Sequence, residues 1–125
     1  ITFFGDDYNT PDGSCVRDYI HVVDLAKAHV AALKLMEQES FKGYDVFNLG
    51  TGKGSTVLEV IGAFERSTGV KLNYTIGPRR SGDVEQVWGD VTKAKEQLHW
   101  QTQLDIDTMM KSAWAWEKYL SQNPL

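Results

Sequence analysis

Apolar and polar positions along this chain switch repeatedly between a period near two and a period near 3.6, the signature of short strands alternating with helices. Ile1-Thr2-Phe3-Phe4 is a short apolar strand pattern, stopped by Gly5-Asp6-Asp7. Asn9-Thr10-Pro11-Asp12-Gly13 is dense in turn formers and reads as a loop. Residues 16–23 alternate and are rich in β-branched and aromatic side chains, which predicts a strand with Arg17, Tyr19 and His21 on one face. Asp24 then stands where an N-cap belongs. It precedes a run of strong helix formers through Met36, in which Leu25, Ala28, Ala32 and Leu35 mark the buried face.

Gly43 breaks that pattern, and residues 44–49 read as a strand leading into Gly50-Thr51-Gly52-Lys53-Gly54-Ser55. A helix from about Val57 should follow, ending near Gly69. Thr56 and Glu59 are spaced as a capping box at its start. Residues 71–76 alternate as another strand, Gly77-Pro78 stops it, and a loop runs to Trp88. A short helix capped by Asp90 comes next. Asp105 then caps a last helix, whose Ile106, Met109, Met110, Ala113, Trp116 and Leu120 recur at helical spacing. On that stripe Trp116 belongs to the core, while Trp114 points away from it. The class is α/β, with three or four strands making a thin, incomplete sheet. The chain opens on Ile1 rather than Met, inside a strand pattern, so a piece of something longer is expected.

With 125 residues, 42% hydrophobic and 24% charged, one globular domain with a real core is the expectation. The net charge of −4 argues against nucleic acid as a general partner, because a phosphate backbone needs a surplus of Lys and Arg on one face. No apolar run reaches the roughly 20 residues that span a bilayer. A lone Cys15 favours a reducing, cytoplasmic setting and has no activating base beside it in sequence.

Among the candidate chemical groups, the glycine loop 50–56 is the most tempting, since amides at a helix N-terminus hold phosphates. Its spacing matches neither a Walker loop nor a dinucleotide fingerprint, and the simpler role is a tight turn before the Thr56 cap. Pro78-Arg79-Arg80-Ser81-Gly82-Asp83 places two guanidiniums, a hydroxyl, a flexible Gly and a carboxylate in one loop. That set suits a phosphate and a ribose; it would equally form a surface Arg–Asp pair worth little. Arg17, inside an otherwise apolar strand, needs an anion or an acidic side chain as partner. His21, His29 and His99 have no second ligand at metal spacing, and no metal is expected.

Five segments together make the chain resemble the C-terminal part of UDP-glucose 4-epimerases, extended short-chain dehydrogenase/reductases. They are residues 4–13, residues 16–26, Asn48-Leu49-Gly50-Thr51-Gly52, Pro78-Arg79-Arg80-Ser81-Gly82-Asp83 and Trp114-Ala115-Trp116, and the resemblance covers essentially the whole chain. It implies an extended Rossmann-type fold in which residues 1–125 are the UDP-sugar-binding C-terminal segment. The NAD-binding Rossmann domain would lie outside this chain. It further implies that Arg17 and Arg80 hold the UDP phosphates, that Asp83 takes the uridine ribose, that Ser81 and Gly82 complete the loop, and that Thr2-Phe3-Phe4 lies along the uracil.

The reaction implied is transfer of the sugar's C4 hydride to NAD and back through a 4-keto sugar, interconverting UDP-glucose and UDP-galactose. The glycine cofactor turn and the Tyr-x-x-x-Lys pair which that chemistry needs do not occur in this sequence. No catalytic or cofactor-binding residue is therefore assigned, and the segment is expected to be inactive alone. Val87 falls where family members carry either a bulky Tyr or a smaller residue beside the sugar, and the smaller one resembles members that also accept UDP-GlcNAc and UDP-GalNAc. The rival readings are a related nucleotide-sugar dehydratase or decarboxylase and a stand-alone UDP-sugar-binding module. A homodimeric parent is implied. The chain alone is expected to self-associate, because the helix after Asp24 and the strand 45–49 should pack on the Rossmann half.

Overall fold

The computed structural model describes residues 1–124. In chain order the elements are β1 (Thr2–Phe4), β2 (Val16–Arg17), α1 (Val22–Met36), β3 (Ser55–Thr56), α2 (Val57–Thr68), β4 (Thr75–Gly77), α3 (Thr92–Gln97) and α4 (Ile106–Gln122). β1 pairs in parallel with β4, Phe3 opposite Ile76, and β2 pairs antiparallel with β3, Val16 opposite Thr56. The α/β class and the incomplete sheet are as expected.

Two predicted strands are shorter than their alternation suggested. The pattern over residues 16–23 yields only Val16–Arg17, because β3 offers two residues to pair with and the chain then turns into α1. His21, not Asp24, caps that helix, its Nδ1 accepting the Val23 N–H at 3.0 Å. Asp24 is instead fully buried in the first turn, where Oδ2 accepts the N–H groups of Gln103 and Leu104, each at 2.9 Å. The second strand forms at Thr75–Gly77 rather than over 71–76. Residues 44–49 form no strand among the described residues. Phe47 and Leu49 pack on the core there, but no neighbouring strand takes up the backbone.

The caps of α2 and α4 follow the sequence closely. Thr56 and Glu59 close a full capping box, Gly69 ends α2 in a left-handed conformation (φ 71°), and Asp105 accepts from Thr108 at 2.8 Å. Those bonds hold the Asp105 carboxyl below the usual carboxylate range. For α3 the N-cap is Val91, one residue later than predicted, although Asp90 still accepts the Thr92 N–H at 3.0 Å.

One core cluster gathers Ala28, Ala94, Leu98 and Trp100, with Ile20, Ala31, Ala32, Leu35, Phe47 and Leu49 around it. Trp100 donates its indole N–H to the Asp24 carbonyl at 3.0 Å, which ties this core cluster to the first turn of α1. His99, which leads into it, holds a left-handed backbone (φ 50°). α2 packs on α4, and here the two tryptophans exchange their expected roles. Trp114 meets Phe64 edge-on at 5.6 Å, whereas Trp116 is 56% exposed and stacks on Tyr119. The helical stripe continued through 116 on paper, but α2 meets α4 at Asp107 and Trp114 instead. An Arg66–Asp107 ion pair closes the edge of that contact.

Candidate functional site

The loop after β1 is pinned before any binding group is placed. Asp12 Oδ1 accepts the Ser14 N–H at 3.0 Å and the Ser14 hydroxyl at 2.7 Å, and Oδ2 accepts the Thr56 hydroxyl. Burial pushes the Asp12 carboxyl up, but the bonds from Thr56 and Ser14 outweigh it and hold it below the usual range. The same threonine caps α2, so one network fixes loop, β3 and helix together. β2 then lies between β3 and residues 85–87, with Val16 N–H donating to Glu85 O at 3.0 Å and Val87 N–H to Val16 O at 3.1 Å.

That frame presents Arg17. Its Nη1 donates to Val16 O at 2.8 Å, and its Nη2 lies 3.8 Å from Asp83 Oδ1. Arg80 approaches the same carboxylate, with Nε 3.1 Å from Oδ2 and Nη2 3.5 Å from Oδ1. Its guanidinium also lies over the Phe4 ring, 4.7 Å from the centroid. Gly82 makes this possible: its left-handed backbone (φ 83°) reverses the chain so that Asp83 N–H bonds Arg80 O at 3.3 Å.

A cleft of about 240 Å³ collects Thr2, Phe3, Phe4, Arg17, Arg80 and Asp83 from three separate stretches of chain. Six of the nine residues expected at a ligand therefore stand together. Ser81 and Gly82 do not line the cleft, and Val87 lines a neighbouring recess of about 590 Å³ that shares Arg17 with it. Cys15, Tyr19 and Val57 complete the wall; none of them was assigned to a ligand from sequence. Tyr19 was legible, since the alternation over residues 16–23 puts it on the face of Arg17. Burial pushes its phenol above the ordinary value, as it does for Tyr8.

Arg79 takes no part in the cleft. It pairs with Asp7 at 2.6 Å and covers the Tyr8 ring at 4.1 Å.

The glycine loop is occupied from within. Asp18 accepts the Thr51 N–H at 2.8 Å, the Thr51 hydroxyl at 2.6 Å, the Gly52 N–H at 3.3 Å and the Gly89 N–H at 3.4 Å. A Cβ on Gly50 would fall 2.2 Å from Asp18 Oδ2, so the glycine serves this close approach. A carboxylate already fills the amide nest that a phosphate would need.

Strands and helices in alternation carry two arginines and a carboxylate into one cleft beside an aromatic wall, and they define an α/β segment. The family described as GDP-mannose 4,6 dehydratase matches residues 1–113, and the chain belongs to it. UDP-glucose 4-epimerase from Erwinia amylovora is 49% identical over 124 residues, which is 99% of this chain and 35% of that protein. Among solved structures, the epimerase from Stenotrophomonas maltophila with bound NAD and formylated UDP-arabinopyranose is 43% identical. It covers 98% of this chain and 36% of that one, with a TM-score of 0.92. The epimerase from Bifidobacterium longum in complex with NAD+ and UDP is 48% identical over 99% of this chain and 35% of that one, with a TM-score of 0.86. The chain thus spans about a third of the length of these relatives. No helix among the described residues is long and apolar enough to cross a membrane.

Proposed function

We propose that this chain is the substrate-holding, C-terminal part of a UDP-glucose 4-epimerase, and that its cleft holds the UDP moiety. The observation that carries this reading is the convergence of Arg17 and Arg80 on one carboxylate beside Phe4. Two guanidiniums at that separation can share a diphosphate, each offering paired donors. Phe4 and Phe3 give a planar base an apolar wall, and Asp83 is an acceptor for ribose hydroxyls. Firm purchase on UDP leaves the sugar itself lightly held, which turning the other face of the hexose toward the hydride requires.

The residues present do not fit NAD. The glycine loop gives its amides to Asp18, and no Tyr-x-x-x-Lys pair occurs in the sequence. NAD and the acid/base pair belong in this reading to the part of the enzyme outside this chain, and the segment is inactive alone.

Val87 borders the recess on the far side of Arg17 and is 50% exposed. It leaves room there for an N-acetyl group, so that UDP-GlcNAc and UDP-GalNAc join UDP-glucose and UDP-galactose as substrates. Joined to the part that completes the length of its relatives, the chain should interconvert UDP-glucose and UDP-galactose. Val87→Tyr should remove activity on the N-acetylated pair while sparing the plain pair; equal loss on both would overturn the role of Val87, and no epimerisation at all would overturn the reading.

A further inference from the structure

We propose that Asp83 is a specificity gate: its carboxylate stands in for phosphate between Arg17 and Arg80, so that a ligand must bring hydroxyls to receive it as well as an anion to replace it. The inference rests on reading the cleft as a nucleotide-sugar site. Asp83 reaches Arg80 at two points, 3.1 and 3.5 Å, and Arg17 at one, 3.8 Å. The Arg17 and Asp83 side chains are only 28% and 19% exposed, so these charges are partly withdrawn from water and their attraction is less screened than in an open surface pair. Arg17 also has Nη1 committed to the Val16 carbonyl, which leaves Nη2, the nitrogen facing Asp83, as the donor a phosphate would recruit.

A bare diphosphate that takes both arginines strips Asp83 of its partners and leaves a like charge beside its own oxygens. The Gly82 turn and the Asp83 N–H bond to Arg80 O keep that carboxylate close. A nucleoside diphosphate answers the same displacement with ribose hydroxyls, which donate to the freed oxygens. Asp83 would thus reject inorganic diphosphates, which bring no hydroxyls, while admitting nucleoside diphosphates and their sugars. Its effect on the two ligand classes is opposite in sign, which a group serving only as a ribose acceptor would not show.

The test is calorimetric titration of the chain with inorganic pyrophosphate and with UDP, on the wild type, Asp83→Asn and Asp83→Ser, each checked for an unchanged circular dichroism spectrum. Pyrophosphate should bind the variants roughly tenfold more tightly, the scale of one charged hydrogen bond, while UDP binds them more weakly. Adding Arg80→Ala to Asp83→Asn should abolish the pyrophosphate gain. Unchanged or weaker pyrophosphate binding in both variants overturns the gate, even where UDP binding persists and sustains the nucleotide reading. A pyrophosphate gain in a chain that never binds UDP supports the gate and overturns the nucleotide reading instead.

Discussion

Around the cleft, three carboxylates find their partners inside the chain: Asp12 with Ser14 and Thr56, Asp18 with the glycine loop, Asp83 with two arginines. On α1 and the stretch beyond it the opposite holds. Val30, Leu33 and Met36 are more than half exposed, Val46 is 67% exposed and Tyr44 90%. The first region is complete within the chain, because each carboxylate meets donors that the fold brings alongside it, Thr56 lying 44 positions from Asp12 and Thr51 33 from Asp18. The second carries an apolar surface open to water, which penalises its exposure. A segment one third the length of its relatives can thus assemble the cleft while leaving an apolar face of α1 exposed.

The largest effect should come from the exposed side. We propose that the chain self-associates through α1 and residues 44–46, and that Leu33→Asp shifts it to the monomer in light scattering without altering the cleft. A monodisperse wild-type monomer would contradict the self-association. On the cleft side, Thr56→Ala removes the α2 cap and the tie to Asp12 together. It should lower stability by about 1–2 kcal/mol in urea unfolding; a loss near zero would mean the network is ornamental.

A smaller effect is the pH dependence of that same network. Asp12 has its folded-state pKa held below the ordinary 3.8, so its contribution is present at pH values above 3.8 and is lost as pH falls through the lower folded value. Unfolding measured between about pH 5 and 2 should therefore be less steep in Asp12→Asn, and equal slopes would contradict the role given to Asp12.

What the sequence made legible was whatever depends on near neighbours. The Thr56–Glu59 box, the Gly69 stop and the Asp105 cap all follow from residues within four positions of one another. Strand length was not legible, because alternation over 16–23 says which faces exist and not how much partner strand is present. Helix facing failed for a related reason: periodicity cannot tell which stripe of α4 the neighbour covers, and α2 chose Trp114 over Trp116. Within the site, Arg17, Arg80 and Asp83 were visible as chemistry, but their meeting at one carboxylate is set by β2 and the Gly82 turn. The engagement of Asp18 with the glycine loop, 33 residues away, left no local mark at all.

Arg17 and Arg80 are proposed to form one grip on UDP, and calorimetric titration of the chain with UDP, on the wild type and on Arg80→Ala, reads that grip. A single-site isotherm that weakens roughly tenfold or more in the variant is the expected result. Equal binding by both proteins, or no heat from either, would contradict it.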